Sequence, residues 1–153
     1  MTRYVIRSFC SYLMGAWFFM ATESLGHDVL QQAREILLGH PAVEAAYLLG
    51  SAAEGRLRRD SDIDIAVLLR QSTVLSVEDR LSLTAMLGRI CGRPVDLGIL
   101  GTRNLVYAKE VITRGQLIAE RERGVTAWFA MHALSMYAAL QEARREVLRA
   151  YAA

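Results

Sequence analysis

The chain has 153 residues, a hydrophobic content of 53% and a formal net charge of +2. That length suits one domain, or a small domain with a trailing helix, and the apolar content excludes wholesale disorder. The slight positive charge makes no case for nucleic-acid binding. Cys10 and Cys91, with no CxxC or Cys/His spacing, argue against a disulfide framework and a zinc site, leaving a reducing cytoplasm as the default compartment.

Residues 9–21, FCSYLMGAWFFMA, form an apolar run behind Arg3 and Arg7. The run falls short of the roughly 20 apolar residues that a membrane-spanning helix needs. A signal-peptide cut after Ala21 would place bulky Phe19 where a small residue is preferred. The expectation is instead that Met20 starts the protein. Residues 1–19 are then an extension outside the fold, and 20–153 form a single domain, because the amphipathic pattern and the chemistry all lie beyond Met20.

Residues 28–38 carry Val29, Leu30, Ala33, Ile36 and Leu37 at helical spacing. Ser24 or His27–Asp28 opens this helix, and Gly39-His40-Pro41 closes it. Residues 43–49 read as a strand ending at Gly50-Ser51, and residues 62–69, DIDIAVLL, as a second strand. Ser76-Val77-Glu78-Asp79 has the form of a capping box, and the helix behind it presents Leu83, Met86, Leu87 and Ile90. Residues 95–100, VDLGIL, make a third strand, residues 105–113 a helix with Gly115 just past its end, and residues 116–120 a short edge strand. A long helix over 127–151 is expected to bury Trp128, Met131, Leu134, Met136, Leu140, Ala143 and Val147. Strands alternating with helices predict an α/β (α+β) domain whose mixed sheet is covered mainly on one face.

The chemistry concentrates in Leu49-Gly50-Ser51 and, ten residues on, Asp62-Ile63-Asp64. Side chains two apart on a strand share a face, with Cα atoms roughly 6.6 Å apart, so Asp62 and Asp64 can converge on one cation while Ile63 and Ile65 enter the core. Without a cation two such carboxylates repel, and one tends to keep a proton. Mg²⁺ removes that conflict, because it prefers oxygen ligands and also holds phosphates. Glycine lets backbone approach a ligand, N–H groups at the Gly50-Ser51 turn can receive phosphate oxygens, and Ser51 adds a hydroxyl donor. Asp96, a lone acid on an apolar strand, joins the cluster if that strand lies beside 62–69. Three carboxylates and two Mg²⁺ ions then constitute a two-metal phosphoryl-transfer site, with Asp96 placed to ligate the second ion and assist proton transfer.

LGSAAEGRLRRDSDIDIAVLL resembles the hG[GS]…DxD signature of the DNA polymerase β-like nucleotidyltransferases. Its GSx10DxD form is similar to that of the minimal nucleotidyltransferases, which include the MntA antitoxins of HepT–MntA toxin–antitoxin pairs. GRPVDLGIL resembles their third-acid strand, and EVITRGQLIAERE their helix–Gly–strand segment. The likeness runs from about Leu25 to the C-terminus. It implies the polymerase β-like fold, contact of Gly50 and Ser51 with the triphosphate, metal binding by Asp62, Asp64 and Asp96, and ATP as substrate. It further implies AMP transfer to a tyrosine of a partner HepT-like toxin, a small helical RNase that this silences.

Two other functions remain in view: an aminoglycoside-type small-molecule nucleotidyltransferase, for whose acceptor pocket the chain leaves little length, and an antitoxin that neutralises by contact alone, against which the three intact carboxylates speak. A polymerase is the least fitting, for want of a separate basic domain. Arg56, Arg58 and Arg59 read as solvated loop charges, Glu54 as a surface residue, Gly55 as a turn, and His27 and His40 as helix-boundary residues. His132 reads as a core or interface histidine, Tyr137 and Tyr151 as helix-packing or partner contacts, and Cys91 as a small buried hydrophobe.

Overall fold

The structure is a computed structural model and describes residues 25–57 and 61–152. The expected boundary at Met20, the Ser24 cap, Cys10 and the loop residues Arg58 and Arg59 lie outside the described residues. Helix α1 (His27–Gly39) leads into strand β1 (Val43–Leu48), a single turn α2 (Gly50–Ala53) and strand β2 (Ile63–Leu69). Helix α3 (Val77–Cys91), strand β3 (Val95–Leu100), helix α4 (Leu105–Arg114), strand β4 (Gln116–Glu120) and helix α5 (Arg123–Ala152) follow.

Local chemistry accounts for the boundaries. Ser76 caps α3 by accepting from the Asp79 N–H at 3.0 Å while its hydroxyl donates to the Asp79 carboxylate, and Gly92 ends the helix in the left-handed conformation that glycine adopts without a Cβ penalty. Asn104 caps α4 in the same manner, accepting from the Tyr107 N–H at 3.0 Å. Among the described residues no side chain caps α1, which opens after Gly26.

The four strands lie in the order β3-β2-β1-β4, with β2 and β3 parallel and the other two pairs antiparallel. β4 is an edge strand, as the short segment suggested. Alternation along each strand sends its side chains to two different cores. On the rear face Val43, Ala46, Leu48, Ile63, Ile65, Val67, Val95 and Leu97 pack with Ala33 and Leu37 of α1 and Leu83 and Leu87 of α3. On the front face Ala45, Tyr47, Ala66, Leu68 and Leu100 pack with Ala108 and Val111 of α4 and Phe129 and Ala133 of α5. The sheet is therefore covered on both faces, not mainly on one. The second layer comes from α4 and from the first turns of α5.

Two groups of expected core residues turn out exposed. Met86 sits on the outer side of α3, which buries only Leu83 and Leu87. On α5 the inward residues are Thr126, Phe129 and Ala133, whereas Trp128, Met131, Met136, Leu140 and Val147 are exposed, and so is Ala143. Leu134 is half-buried. The reason is length. The 30 residues of α5 extend about 45 Å, whereas the 10 residues of α4 offer about 15 Å of helix to pack against. His132 is also exposed and stacks on the Trp128 indole at 5.0 Å between ring centroids.

Candidate active site

The front face of the sheet is left open at one end, where β2 begins and β3 runs beside it. In the parallel register Asp64 stands directly against Asp96, and Ile63 against Val95. Ile63 and Ile65 are buried on the rear face, which obliges Asp64 to face forward; Asp62, just before the strand, is exposed. The three acids expected from the sequence thus lie at one edge of the uncovered region. Asp96 is exposed and its Oδ1 lies 3.8 Å from Nη2 of Arg80, an α3 residue that reaches round the sheet edge.

Gly50 sits against Asp64, and Ser51 follows it in α2. The Leu49 N–H donates to the Asp64 carbonyl at 2.9 Å, tying the turn to the acid strand. Gly50 has φ +60°, a conformation that favours glycine, and a Cβ there would press on Asp64 Oδ2 at 3.0 Å. At the start of α2 the N–H groups of Gly50, Ser51 and Ala52 have no acceptor within their own turn. Leu57, buried in the rear core, anchors the loop after α2. Arg56 pairs with Glu54 and is exposed, in keeping with a solvated loop charge.

Electrostatics mark Asp64 as the strained member. Burial first, then the charges of Asp96 and Asp62, push its carboxyl above the ordinary aspartate value. An oxygen-only set of carboxylates whose charges oppose one another fits a hard divalent cation, whose charge relieves that repulsion. The side chains as they stand are spread rather than gathered; among the described residues no three acidic, histidine or cysteine side chains form a ready ligand cluster.

Sequence reasoning missed Tyr107. A pocket of about 240 Å³ is lined by Leu49, Asp64, Ile65, Asp96, Gly98 and Tyr107. Tyr107 comes from the first turn of α4, and its hydroxyl rests where a Cβ on residue 98 would be, with Cζ 3.3 Å from that position. Burial, then Asp96 and Asp64, push its phenol above the usual tyrosine value. The available signal was Gly98 itself, since a glycine inside a strand marks close approach by another group. Cys91 is half-buried and its thiol is pushed up by burial, which fits a small hydrophobe.

Residues 31–124 match the family model described as "Polymerase beta, Nucleotidyltransferase". The chain therefore belongs to the polymerase β nucleotidyltransferase family, a class of enzymes that transfer nucleotidyl groups. Within that class it is similar to the protein adenylyltransferase MntA of Shewanella oneidensis, with 32% identity over 108 residues, 71% of this chain and 76% of that protein. Among solved structures it matches a chain of a toxin–antitoxin complex with AMP-PNP at 28% identity and TM-score 0.64, covering 84% of this chain and all of that one. It also matches a chain of the complex between the tri-AMPylated S. oneidensis HEPN toxin and its MNT antitoxin at 27% identity and TM-score 0.61, covering 82% and 97% of the two chains. No helix among the described residues is long and apolar enough to cross a membrane.

Proposed function

We propose that this protein is a cytoplasmic antitoxin that transfers AMP from ATP to a tyrosine hydroxyl of a HepT-like toxin, with Mg²⁺ bound by Asp62, Asp64 and Asp96. The observation that carries the reading is the side-by-side placement of Asp64 and Asp96 with Gly50 packed against the Asp64 carboxylate. The MntA relative and the AMPylated toxin complex support the nucleotide and the protein partner. Two bound Mg²⁺ ions would supply charge neutralisation for the triphosphate and acidify the acceptor hydroxyl.

The protein's own groups then have distinct tasks. The N–H groups and hydroxyl at Gly50-Ser51 receive phosphate oxygens and hold the triphosphate still. The acceptor oxygen forms a bond to the α-phosphorus, the bond to the β-phosphate oxygen breaks, and pyrophosphate leaves. Asp96, on the open side of the site, takes the hydroxyl proton and passes it to water. The Leu49 side chain borders the pocket beside the two acids.

Purified protein, labelled ATP, Mg²⁺ and a HepT-type toxin provide the test. AMP should appear on a toxin tyrosine with the wild type and vanish with the Asp62→Ala/Asp64→Ala variant. Absence of label from the wild-type reaction, with rescue from toxicity retained in the double variant, would establish neutralisation by contact instead. Transfer to an aminoglycoside and not to the toxin would establish the small-molecule function.

A further inference from the structure

Resting on the proposed function, we infer that Tyr107 is the residue that positions the acceptor hydroxyl in this site, and that Gly98 is the gap in β3 that lets it reach in. Four observations converge. Tyr107, Asp64 and Asp96 line one pocket, opposite Leu49. That pocket runs from Leu49 past Asp64 to Asp96, Gly98 and Tyr107, and neither Gly50 nor Ser51, which would hold the triphosphate, lines it. The phenol is seated on Gly98, the position two beyond Asp96 on the same strand and therefore on the same face. The first turn of α4 is fixed by the Asn104 cap on the Tyr107 N–H itself, and Ala108 and Val111 anchor the helix in the front core. The ring therefore sits on a rigid support.

The Tyr107 hydroxyl makes no hydrogen bond to another described residue, although Tyr107 shares its pocket with both acids. A half-buried phenol with a free hydroxyl, held beside the reacting acids, is matched to a ligand that brings its own polar atom. For an incoming aromatic hydroxyl the ring supplies a wall and the hydroxyl a donor, which together limit the directions from which the acceptor oxygen can approach. Positioning of this kind acts on the turnover step, since a shift of about 1 Å in a reacting atom can cost on the order of 10²-fold.

The test compares Tyr107→Ala, Tyr107→Phe and Gly98→Ala with the wild type, using a HepT-type toxin as acceptor. Toxin adenylylation is measured at saturating ATP, and AMP-PNP affinity is measured separately by calorimetry in the presence of Mg²⁺. We expect kcat to fall about 10–100-fold for Tyr107→Ala and less for Tyr107→Phe. Gly98→Ala, which displaces the phenol while leaving it in the chain, should lower kcat as well. AMP-PNP affinity should stay within about twofold of wild type in the tyrosine variants, and thermal unfolding should confirm that each variant folds. Unchanged kcat in Tyr107→Ala overturns the inference while leaving the transfer activity standing. Loss of AMP-PNP affinity overturns it in favour of nucleotide binding. A wild-type protein that transfers no AMP overturns the proposed function, and the inference with it.

Discussion

The two faces of the sheet are made by the same strands, yet they end differently. The rear face is closed behind the acids: Leu37, Ile63, Ile65, Leu87 and Leu97 are all at or below 2% exposure, and α1 and α3 lie over them. The front face is closed only where α4 and α5 reach, over Ala66, Leu68 and Leu100. Beyond that edge the same alternation that buries Ile63 and Ile65 behind delivers Asp64 in front, with Asp96 alongside. The comparison teaches how a small domain supports a strained site. Acids that repel one another are held in place by strand segments whose other side, at Ile63, Ile65 and Leu97, is buried.

The two faces are expected to fail in opposite ways. Asp64→Asn should lower AMP transfer to a HepT-type toxin by about 10³-fold, as expected when a main electrostatic contributor to the transition state is lost. Its thermal midpoint should match or exceed that of wild type; a clear fall in stability would mean that the front acids are structural. Leu87→Ala does the reverse. A fully buried rear-face leucine should cost about 2–5 kcal/mol, read as a lower urea midpoint, while kcat of the protein that remains folded stays close to wild type.

Gly50→Ala joins the two properties, because φ +60° and the 3.0 Å approach to Asp64 Oδ2 both oppose a side chain. Stability should drop by about 1–2 kcal/mol, and transfer by about 10–100-fold through displacement of the acid. An alanine variant with wild-type transfer would detach the turn from the site.

The smallest effect is a titration. In the metal-free protein the Asp64 carboxyl should titrate above 3.8, the usual value for an aspartate. Because the folded-state pKa is raised, ionising Asp64 opposes the fold: stability falls as pH rises from 3.8 through the raised value, and the cost persists above it. Asp96→Asn removes one of the two charges responsible. It should move the Asp64 midpoint part of the way back, since burial is the larger cause, and slightly raise the thermal midpoint near neutral pH. A midpoint at or below 3.8 in the wild-type protein, followed by NMR, would show that the acids do not crowd one another.

The part of the site carried by strands was legible in the amino-acid order. Period-two alternation is a local property, so Asp62 and Asp64 could be assigned to one face and Ile63 and Ile65 to the other from spacing alone. The lone Asp96 in VDLGIL pointed to the neighbouring strand, which is where the parallel register puts it. The cap at Ser76 and the edge position of β4 were equally local, resting on a side chain three residues from the N–H it accepts from and on the shortness of the segment.

Helix faces were harder. The apolar residues of α5 occupy more of its circumference than one partner can cover, so the pattern did not say that Phe129 and Ala133 would turn inward and Trp128 and Met131 outward; α4 decided that by its own length and by the small side chain it accepts at Ala133. Nor could spacing show that α4 and α5 would add a second covered face. Tyr107 and Gly98 belong to different elements, and their meeting depends on the angle at which α4 leaves β3. By itself, then, the sequence determined the acids, the glycine turn and the strands that present them, because each is set by neighbours a few residues away. Only tertiary structure decided where the sheet stays uncovered and which aromatic side chain stands at the opening, because both depend on packing between segments that no local period relates.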